Sequence, residues 1–203
     1  MLSSLPVEIL RGIRLTIAFG LITGIIYPLA ITGISQVVFH DAANGSLISK
    51  NGQVVGSNLI GQEFTSDKYF HGRPSATVDA KTGSPKPYAA DNSTGSNLGP
   101  TNSALVNRVA SDVRAARDAN GLGPNDPIPA DMVTTDFSGV DPDISEATAL
   151  LQVHRVAQAR GLDESKVRAL VEKYVHGRIL WIFGQPYVNV LEVNMALDAG
   201  EAG

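Results

Sequence analysis

The sequence predicts one N-terminal transmembrane helix followed by one extracytoplasmic α+β domain, which starts with a β-hairpin and continues mainly with helices. Three observations predict this fold: the uncharged apolar run Leu15–Phe39, the Asn51–Gly52 turn between two short apolar segments, and a series of helix-capping residues in the C-terminal half. Strand signals that precede helix signals are typical of α+β domains. The predicted boundaries are a short cytoplasmic segment over 1–14, the transmembrane helix over 15–39 and the domain over 40–203.

The apolar run is long enough to cross a bilayer. Leu15–Phe39 contains about 25 residues without a formal charge, and a helix of that length covers about 37 Å against about 30 Å of hydrocarbon. A cleaved signal peptide is the alternative, but its apolar region is shorter and ends in a small-x-small cleavage site. His40 and Asp41 occupy the −3 positions of cuts after Ala42 and Ala43, which favours an uncleaved anchor.

The charges on either side of the run predict its orientation. Arg11 and Arg14 precede it, and no lysine or arginine follows it before Lys50. Positive residues favour the cytoplasmic side, so we expect the N-terminus in the cytoplasm and everything after Phe39 outside. The predicted location is the bacterial inner (plasma) membrane, which the chain crosses once.

Small residues recur along one face of the predicted crossing. Thr16, Gly20 and Gly24 follow one another at intervals of four residues, and Pro28 continues the series. Missing side chains let a second helix approach closely, so these four residues are candidate contacts with a partner helix. Chance is the alternative, because glycine is common in membrane helices. Pro28 is also expected to kink the helix and to free a backbone carbonyl.

The start of the domain predicts a hairpin. The segments Ser46–Ser49 and Gln53–Gly56 flank Asn51–Gly52. Asn-Gly is a preferred central pair of type I′ turns because both residues tolerate positive φ. Leu59–Phe64 is expected to extend the sheet. Residues 71–100 are dense in Gly, Pro, Ser and Asn, and a loop of this length is usually functional or disordered.

Capping residues predict three helices. Asn102 or Ser103 begins the first, Ser145 begins the second and Asp163 begins the third. The predicted apolar faces consist of Leu105, Val106, Val109, Val113 and Ala116 in the first, of Ala147, Leu150, Leu151, His154 and Ala157 in the second, and of Val167, Leu170, Val171 and Tyr174 in the third. His154 is therefore expected in the core.

The last segment is ambiguous. Asn189–Glu192 has the spacing of a capping box, which predicts a helix, whereas apolar residues alternate over 191–197 as they do in a strand. An apolar cluster, Trp181–Phe183, precedes this segment.

Composition excludes several classes of function. The chain has no cysteine, so disulfides, thiolate metal sites and thiol catalysis are excluded. Its net charge of −4 provides no basic footprint for nucleic acid. The histidines are too isolated to predict a metal site. They are His40, His71, His154 and His176.

Two segments that contain aspartate are better explained as turns than as sites. One segment contains Asp131, Asp136, Asp141 and Asp143. Their spacing is not that of an EF-hand loop, so turn and capping roles are favoured over Ca²⁺ binding. The run Asp79–Ser84 resembles the phosphorylated motif of P-type pumps, but the inserted Ala80 would displace the lysine from the aspartyl phosphate. We interpret this run as a surface turn.

His71, Arg73 and Ser75 form the polar cluster that most suggests chemistry. A histidine and an arginine beside a hydroxyl can bind an anion or assist acyl transfer, and a triad would also need an orienting carboxylate such as Asp67 or Asp79. In the alternative interpretation Arg73 pairs with a carboxylate, and the cluster structures a loop or a docking surface. The sequence favours this second interpretation and predicts no catalytic residue.

A series of short motifs follows in one order along the chain. The motifs are Tyr27–Ile34, Asn44–Leu47, Gly56–Gln62, Tyr69–Ala76, Ser93–Pro100, Ile128–Asp131, Asp141–Ser145, Arg155–Ala157 and Val188–Leu191. Each is weak alone, but together they resemble the KdpC family, the C subunits of the bacterial Kdp potassium-transporting ATPase. Ser96 and Asn97, within one of the motifs, join His71, Arg73 and Ser75 as candidate docking or loop-structuring residues.

The resemblance implies an accessory, non-catalytic subunit of a high-affinity, ATP-driven potassium uptake pump. Its implied partners are a channel-like potassium subunit, a P-type subunit that hydrolyses ATP and a small membrane peptide. Members of the family are described as needed for assembly, and as catalytic chaperones that raise the ATP affinity of the P-type subunit. No cofactor of its own is expected, because ATP and potassium are handled by the complex. The alternatives are a membrane-anchored extracytoplasmic hydrolase that uses His71, Arg73 and Ser75, and a ligand-binding sensor.

Overall fold

The structure, a computed structural model, describes residues 5–203 and divides into two compact units, one up to Leu47 and one over Ile48–Gly203. The first unit consists of helix α1 (Leu5–Leu21), a π-helical turn (Ile22–Ile26), α2 (Tyr27–Val38) and the short α3 (His40–Ala43). Leu5–Val38, with a mean hydropathy of 2.0, is long and apolar enough to cross a membrane. One N-terminal apolar helix followed by a domain of mixed helix and sheet is confirmed, while the crossing and its orientation remain predictions.

A π-helical turn interrupts the α-helical hydrogen bonds beside the glycines of the long helix. The N–H of Tyr27 donates to the carbonyl of Ile22, five residues back. Pro28 has no N–H and cannot donate to the carbonyl of Gly24, so the hydrogen-bond pattern has to change at this point. The sequence predicts the freed carbonyl but not the π turn.

The second unit opens with the predicted hairpin. Strands β1 (Leu47–Lys50) and β2 (Gln53–Ser57) form a two-stranded sheet. Asn51 and Gly52 have φ values of 53° and 78°, both positive as a type I′ turn requires. The hairpin is confirmed, but the predicted extension over Leu59–Phe64 is wrong: it makes one isolated bridge to β2 and then leaves the sheet.

A three-stranded antiparallel sheet that the sequence did not predict lies in the domain. It contains β3 (Asp143–Ser145), β4 (Val175–His176) and β5 (Tyr187–Asn189), in the order β3-β5-β4. Val188 at its centre pairs with Ile144 on one side and with Val175 on the other. Strands of two or three residues are too short to show the alternation that identifies a strand in sequence.

The helices of the domain start where the sequence predicts. They are α4 (Ser103–Ala119), α5 (Glu146–Arg160), α6 (Glu164–Lys173) and α7 (Val190–Asp198), with 3₁₀ turns at Ala90–Asn92 and Ala130–Met132. Side chains of Asn102, Ser145, Asp163 and Asn189 each accept a backbone N–H of the helix that follows. The C-terminal segment is therefore a helix, and its interpretation as a strand is wrong.

The core lies among α5, α6, α7 and the three-stranded sheet. Fully buried side chains include Phe70, Val153, Val156, Val167, Val171, Val188 and Val193. In α6 the predicted positions Val167, Leu170 and Val171 are all buried. No residue of α4 is buried, and Val106 on its predicted apolar face is 55% exposed.

Helix α5 buries a different face from the one predicted. Its buried residues are Thr148, Ala149, Gln152, Val153, Arg155, Val156 and Ala157. The His154 side chain is 62% exposed and lies 3.1 Å from the carboxylate of Glu164, so its assignment to the core is wrong. Alanine, leucine and valine occur all round this helix, so the sequence contains too little contrast to fix which face turns inward.

Candidate functional site

The small-residue stripe of the first unit is fully open. Thr16, Gly20, Gly24 and Pro28 are exposed, and a Cβ added to either glycine would meet nothing within 4 Å among the described residues. This free space is what close approach by a second helix requires. Packing against such a helix stays a prediction.

In the second unit, buried side chains hold the backbone of the segment Asp67–Ser75. Gln152 of α5 is 1% exposed. Its Oε1 accepts from the N–H of His71 at 2.8 Å, and its Nε2 donates to the carbonyl of His71 at 3.1 Å. The same Oε1 accepts from Nη2 of Arg155 at 2.6 Å. Gln152 thus satisfies backbone groups that would otherwise be buried without partners.

Asn194 and Arg155 hold the neighbouring residues in the same way. Asn194 of α7 accepts from the N–H of Phe70 at 2.8 Å and donates to its carbonyl at 2.9 Å. Nη1 of Arg155 donates to the carbonyls of Asp67 and Tyr69. Sequence reasoning missed all three clamping residues, although a polar residue on an otherwise apolar, buried helix face is a signal for this role.

Arg73 pairs with a carboxylate, as the interpretation of the cluster as a structuring loop predicts. Its Nη1 lies 2.9 Å from Oδ2 of Asp141, with side chains that are 23% and 28% exposed. Its Nη2 donates to the carbonyls of Thr134 and Thr135. Arg73 therefore joins its own segment to the loop that precedes β3.

Ser75 and His71 do not form a catalytic pair. Oγ of Ser75 donates to the carbonyl of Gly139 at 2.6 Å and accepts from the N–H of Tyr88 at 3.0 Å. Nε2 of His71 lies 3.0 Å from the carbonyl of Ser66 instead. Neither proposed orienting carboxylate contacts His71 through a hydrogen bond in the described chain: Asp67 lies 3.8 Å from Arg155, and Asp79 caps its own turn.

Burial shifts the pKa values of His71 and Tyr88 so that both side chains are uncharged. Burial, followed by the nearby positive charge of Arg155, lowers the pKa of His71. His71 is therefore uncharged at neutral pH. Burial and then the negative charges of Asp136 and Asp141 raise the pKa of Tyr88. The phenol stays protonated, and it donates to the carbonyl of Arg73 at 2.7 Å.

The long loop over 71–100 is fixed by hydrogen bonds to its own residues and to the loop before β3. Thr77, 2% exposed, accepts from the N–H of Ala89 and donates to the carbonyl of Lys86. Ser96 accepts from Oγ1 of Thr135 at 3.5 Å, whereas Asn97 is exposed with a φ of 53°. Ser96 thus meets the loop before β3, and a docking role for either residue stays a prediction.

Asp131 and Asp136 act in a cap and a turn, as the sequence predicts, whereas Asp141 pairs with Arg73 and Asp143 accepts from the side chain of Asn189. Asp131 accepts from both the N–H and the hydroxyl of Ser145, and Asp136 accepts from the N–H of Asp141. Asp79 accepts from backbone N–H groups two and three residues on, which confirms a surface turn. Among residues 5–203 no cluster of three or more histidine, aspartate or glutamate side chains is placed to hold a metal ion.

A cavity of about 630 Å³ lies beside this segment. Its wall includes Arg73, Arg108, Arg155, Tyr88 and Ala116. Of the predicted apolar face of α4, Ala116 lines this cavity, and no residue of the helix is buried in the core. The arrangement can receive an apolar or acidic group from a partner, but it does not bring a nucleophile and a base together.

Comparison with known proteins identifies the family. The family model described as "KdpC: K+-transporting ATPase, c chain" matches residues 9–199. A protein of Rhodopseudomonas palustris (strain BisB18) named potassium-transporting ATPase KdpC subunit is 52% identical over 199 residues, which cover 96% of this chain and 98% of that relative. Equally named proteins of Methylobacterium nodulans and Bradyrhizobium diazoefficiens are each 51% identical, with 98% of each covered. The chain belongs to the KdpC family.

Proposed function

We propose that this chain is an accessory, non-catalytic subunit of a high-affinity, ATP-driven potassium uptake pump. The observation that carries the proposal is the family match over residues 9–199, together with near-complete coverage of relatives named as subunits of a potassium-transporting ATPase. Its partners are a channel-like potassium subunit, a P-type subunit that hydrolyses ATP and a small membrane peptide. ATP and potassium are bound by these partners, and this chain supports their assembly.

The geometry of the domain favours docking over hydrolysis. The side chains of Arg73 and Ser75 are occupied by Asp141 and Gly139, and His71 faces a backbone carbonyl. A hydrolase would need the histidine within hydrogen-bond reach of the hydroxyl. The same contacts make the segment rigid, which suits a surface that binds a partner without rearrangement.

We propose that the apolar run Leu15–Phe39 crosses the inner membrane once, with the N-terminus in the cytoplasm and the domain outside. The length and hydropathy of the helix and the positions of Arg11 and Arg14 support this topology. Protease added to intact spheroplasts is then expected to digest the domain. Full protection until the cells are lysed would contradict the topology.

The proposed effect on ATP affinity has to act across the membrane. ATP is cytosolic and the domain lies outside, so the effect is a coupling free energy carried by the membrane helices, for which about 1–3 kcal/mol is typical. That range corresponds to a change in ATP affinity of about 5- to 150-fold.

The test compares pump complexes with and without this chain. Potassium-stimulated ATP hydrolysis is measured against ATP concentration, and the amount of assembled pump is quantified in parallel. The proposal expects less assembled pump and a higher KM for ATP when the chain is missing. Equal assembly and equal KM would contradict it. Ester or phosphoester hydrolysis by the chain alone that His71→Ala abolishes would favour the hydrolase instead.

A further inference from the structure

The hairpin between β4 and β5 ends in an exposed apolar tip, Ile179–Phe183. Its side chains are 62–91% exposed, and Trp181 at 91% is the most exposed of the five. Backbone hydrogen bonds in both directions between Ile179 and Phe183 close the tip. Soluble domains rarely leave so many large apolar side chains together in water, and such patches mark contacts with membranes or other proteins.

The backbone of the tip shows that its bulky residues are unfavourable for the turn itself. Leu180 and Trp181 have φ values of 52° and 59°, a region that large side chains rarely adopt. The first hairpin of the same domain places Asn51 and Gly52 at similar positive φ values, with residues suited to them. The leucine and the tryptophan at the apex therefore do not stabilise the turn, and another role has to explain them.

The segment that contains the tip carries no negative charge of its own. The chain as a whole carries a net charge of −4, yet no aspartate or glutamate occurs from Lys173 to Leu191. Arg178, which is exposed, directly precedes the tip. Tryptophan and arginine are side chains that settle at the boundary between lipid headgroups and acyl chains, and the positive charge of Arg178 complements anionic headgroups.

We propose that the tip Ile179–Phe183 inserts into the headgroup boundary of an anionic phospholipid bilayer, with Arg178 at the phosphates. The inference rests on the proposed membrane anchoring, because the anchor keeps the domain at a high effective concentration near lipid. A bilayer is favoured over a protein partner since five apolar side chains on one turn carry a single polar side-chain group, the indole N–H, with which to orient a partner. Lipid accepts such a protrusion without a complementary pocket.

Trp181 is the only tryptophan in the chain, so its fluorescence reports on the tip directly. The full chain is reconstituted into vesicles of phosphatidylglycerol and phosphatidylcholine, with either ordinary or brominated acyl chains. The proposal expects brominated lipid to remove most of the tryptophan emission and water-soluble acrylamide to quench it poorly. Emission that is unaffected by bromine and quenched freely by acrylamide would overturn the proposal. The same result is expected if the tip binds a protein partner instead of lipid.

A matched control moves the reporter to an equally exposed aromatic position elsewhere. Phe137 is 96% exposed in the loop before β3. In the double variant Trp181→Phe with Phe137→Trp, emission is expected to be insensitive to brominated lipid. Equal quenching at both positions would overturn the proposal, because it would reflect tethering alone. Flotation of the vesicles tests the anchor separately: a chain that fails to float refutes the anchoring and, with it, the insertion.

A second variant keeps the reporter and removes apolar surface beside it. Leu180→Asn with Ile182→Asn is expected to weaken quenching of Trp181 by brominated lipid while the Tm of the domain is kept. Unchanged quenching in the folded variant contradicts insertion.

Discussion

Gln152→Leu tests the clamp on the Asp67–Ser75 segment most directly. The substitution keeps the size of the side chain but leaves the N–H and carbonyl of His71 and Nη2 of Arg155 without their partner. Each unpaired buried polar group costs about 1–3 kcal/mol, which amounts to roughly 6 kcal/mol for three groups at the middle of that range. A buried leucine recovers about 2 kcal/mol, so the free energy of unfolding is expected to fall by about 4 kcal/mol, a large part of the roughly 5–15 kcal/mol typical of a domain.

The assay is urea unfolding of the detergent-solubilised full chain, followed by circular dichroism. Gln158→Leu is the matched control, because Gln158 is exposed on the same helix and the same substitution there is expected to change stability by less than about 0.5 kcal/mol. A difference of less than about 1 kcal/mol between the two variants would refute the reasoning, since it would mean that water or neighbouring groups replace the amide.

Two further predictions concern the loop before β3 and the dependence of stability on pH. Gly139→Ala is expected to lower the Tm of the domain more than Gly121→Ala does. Both glycines have positive φ, but only a Cβ at residue 139 would collide with the side chain of Thr77. Equal shifts in Tm would contradict this close contact. Burial, followed by Asp141, raises the pKa of Asp143 from 3.8 to about 6 in the folded domain. The folded form therefore binds this proton more tightly than the unfolded form, and this contribution to stability is lost as pH rises from about 4 to 6. Asp143→Asn should remove that slope in urea titrations, and an unchanged slope would assign it to another group.

Local signals explain what the sequence predicts well. A cap depends on one side chain and the next few residues, so Asn102, Ser145 and Asp163 identify their helices without knowledge of the fold. The Asn51–Gly52 turn is equally local, because the two residues themselves tolerate the positive φ that the turn needs.

The missed features depend on contacts between distant parts of the chain. Gln152 satisfies backbone groups of His71, 81 positions away in sequence, and Asn194 satisfies those of Phe70, 124 positions away. The sequence predicts His154 in the core, wrongly, because the apolar pattern of α5 does not indicate which side of the helix meets α6. The apolar cluster at Trp181 is evident in the sequence, but only the hairpin between β4 and β5 shows that it faces solvent.

We propose that this chain docks, through its N-terminal apolar helix, with the larger subunits of a potassium pump. The most direct measurement is recovery of those subunits with a C-terminally tagged chain from gently solubilised membranes, for the wild type, for Gly20→Ile with Gly24→Ile, and for Ala18→Ile with Ala30→Ile. The alanines lie two residues from stripe positions, about 200° around the helix, and serve as the matched control. We expect the wild type and the alanine variant to bring down the potassium-conducting and ATP-hydrolysing subunits, and the glycine variant to lose most of them. Recovery of the wild-type chain alone would show that the chain does not dock with these subunits.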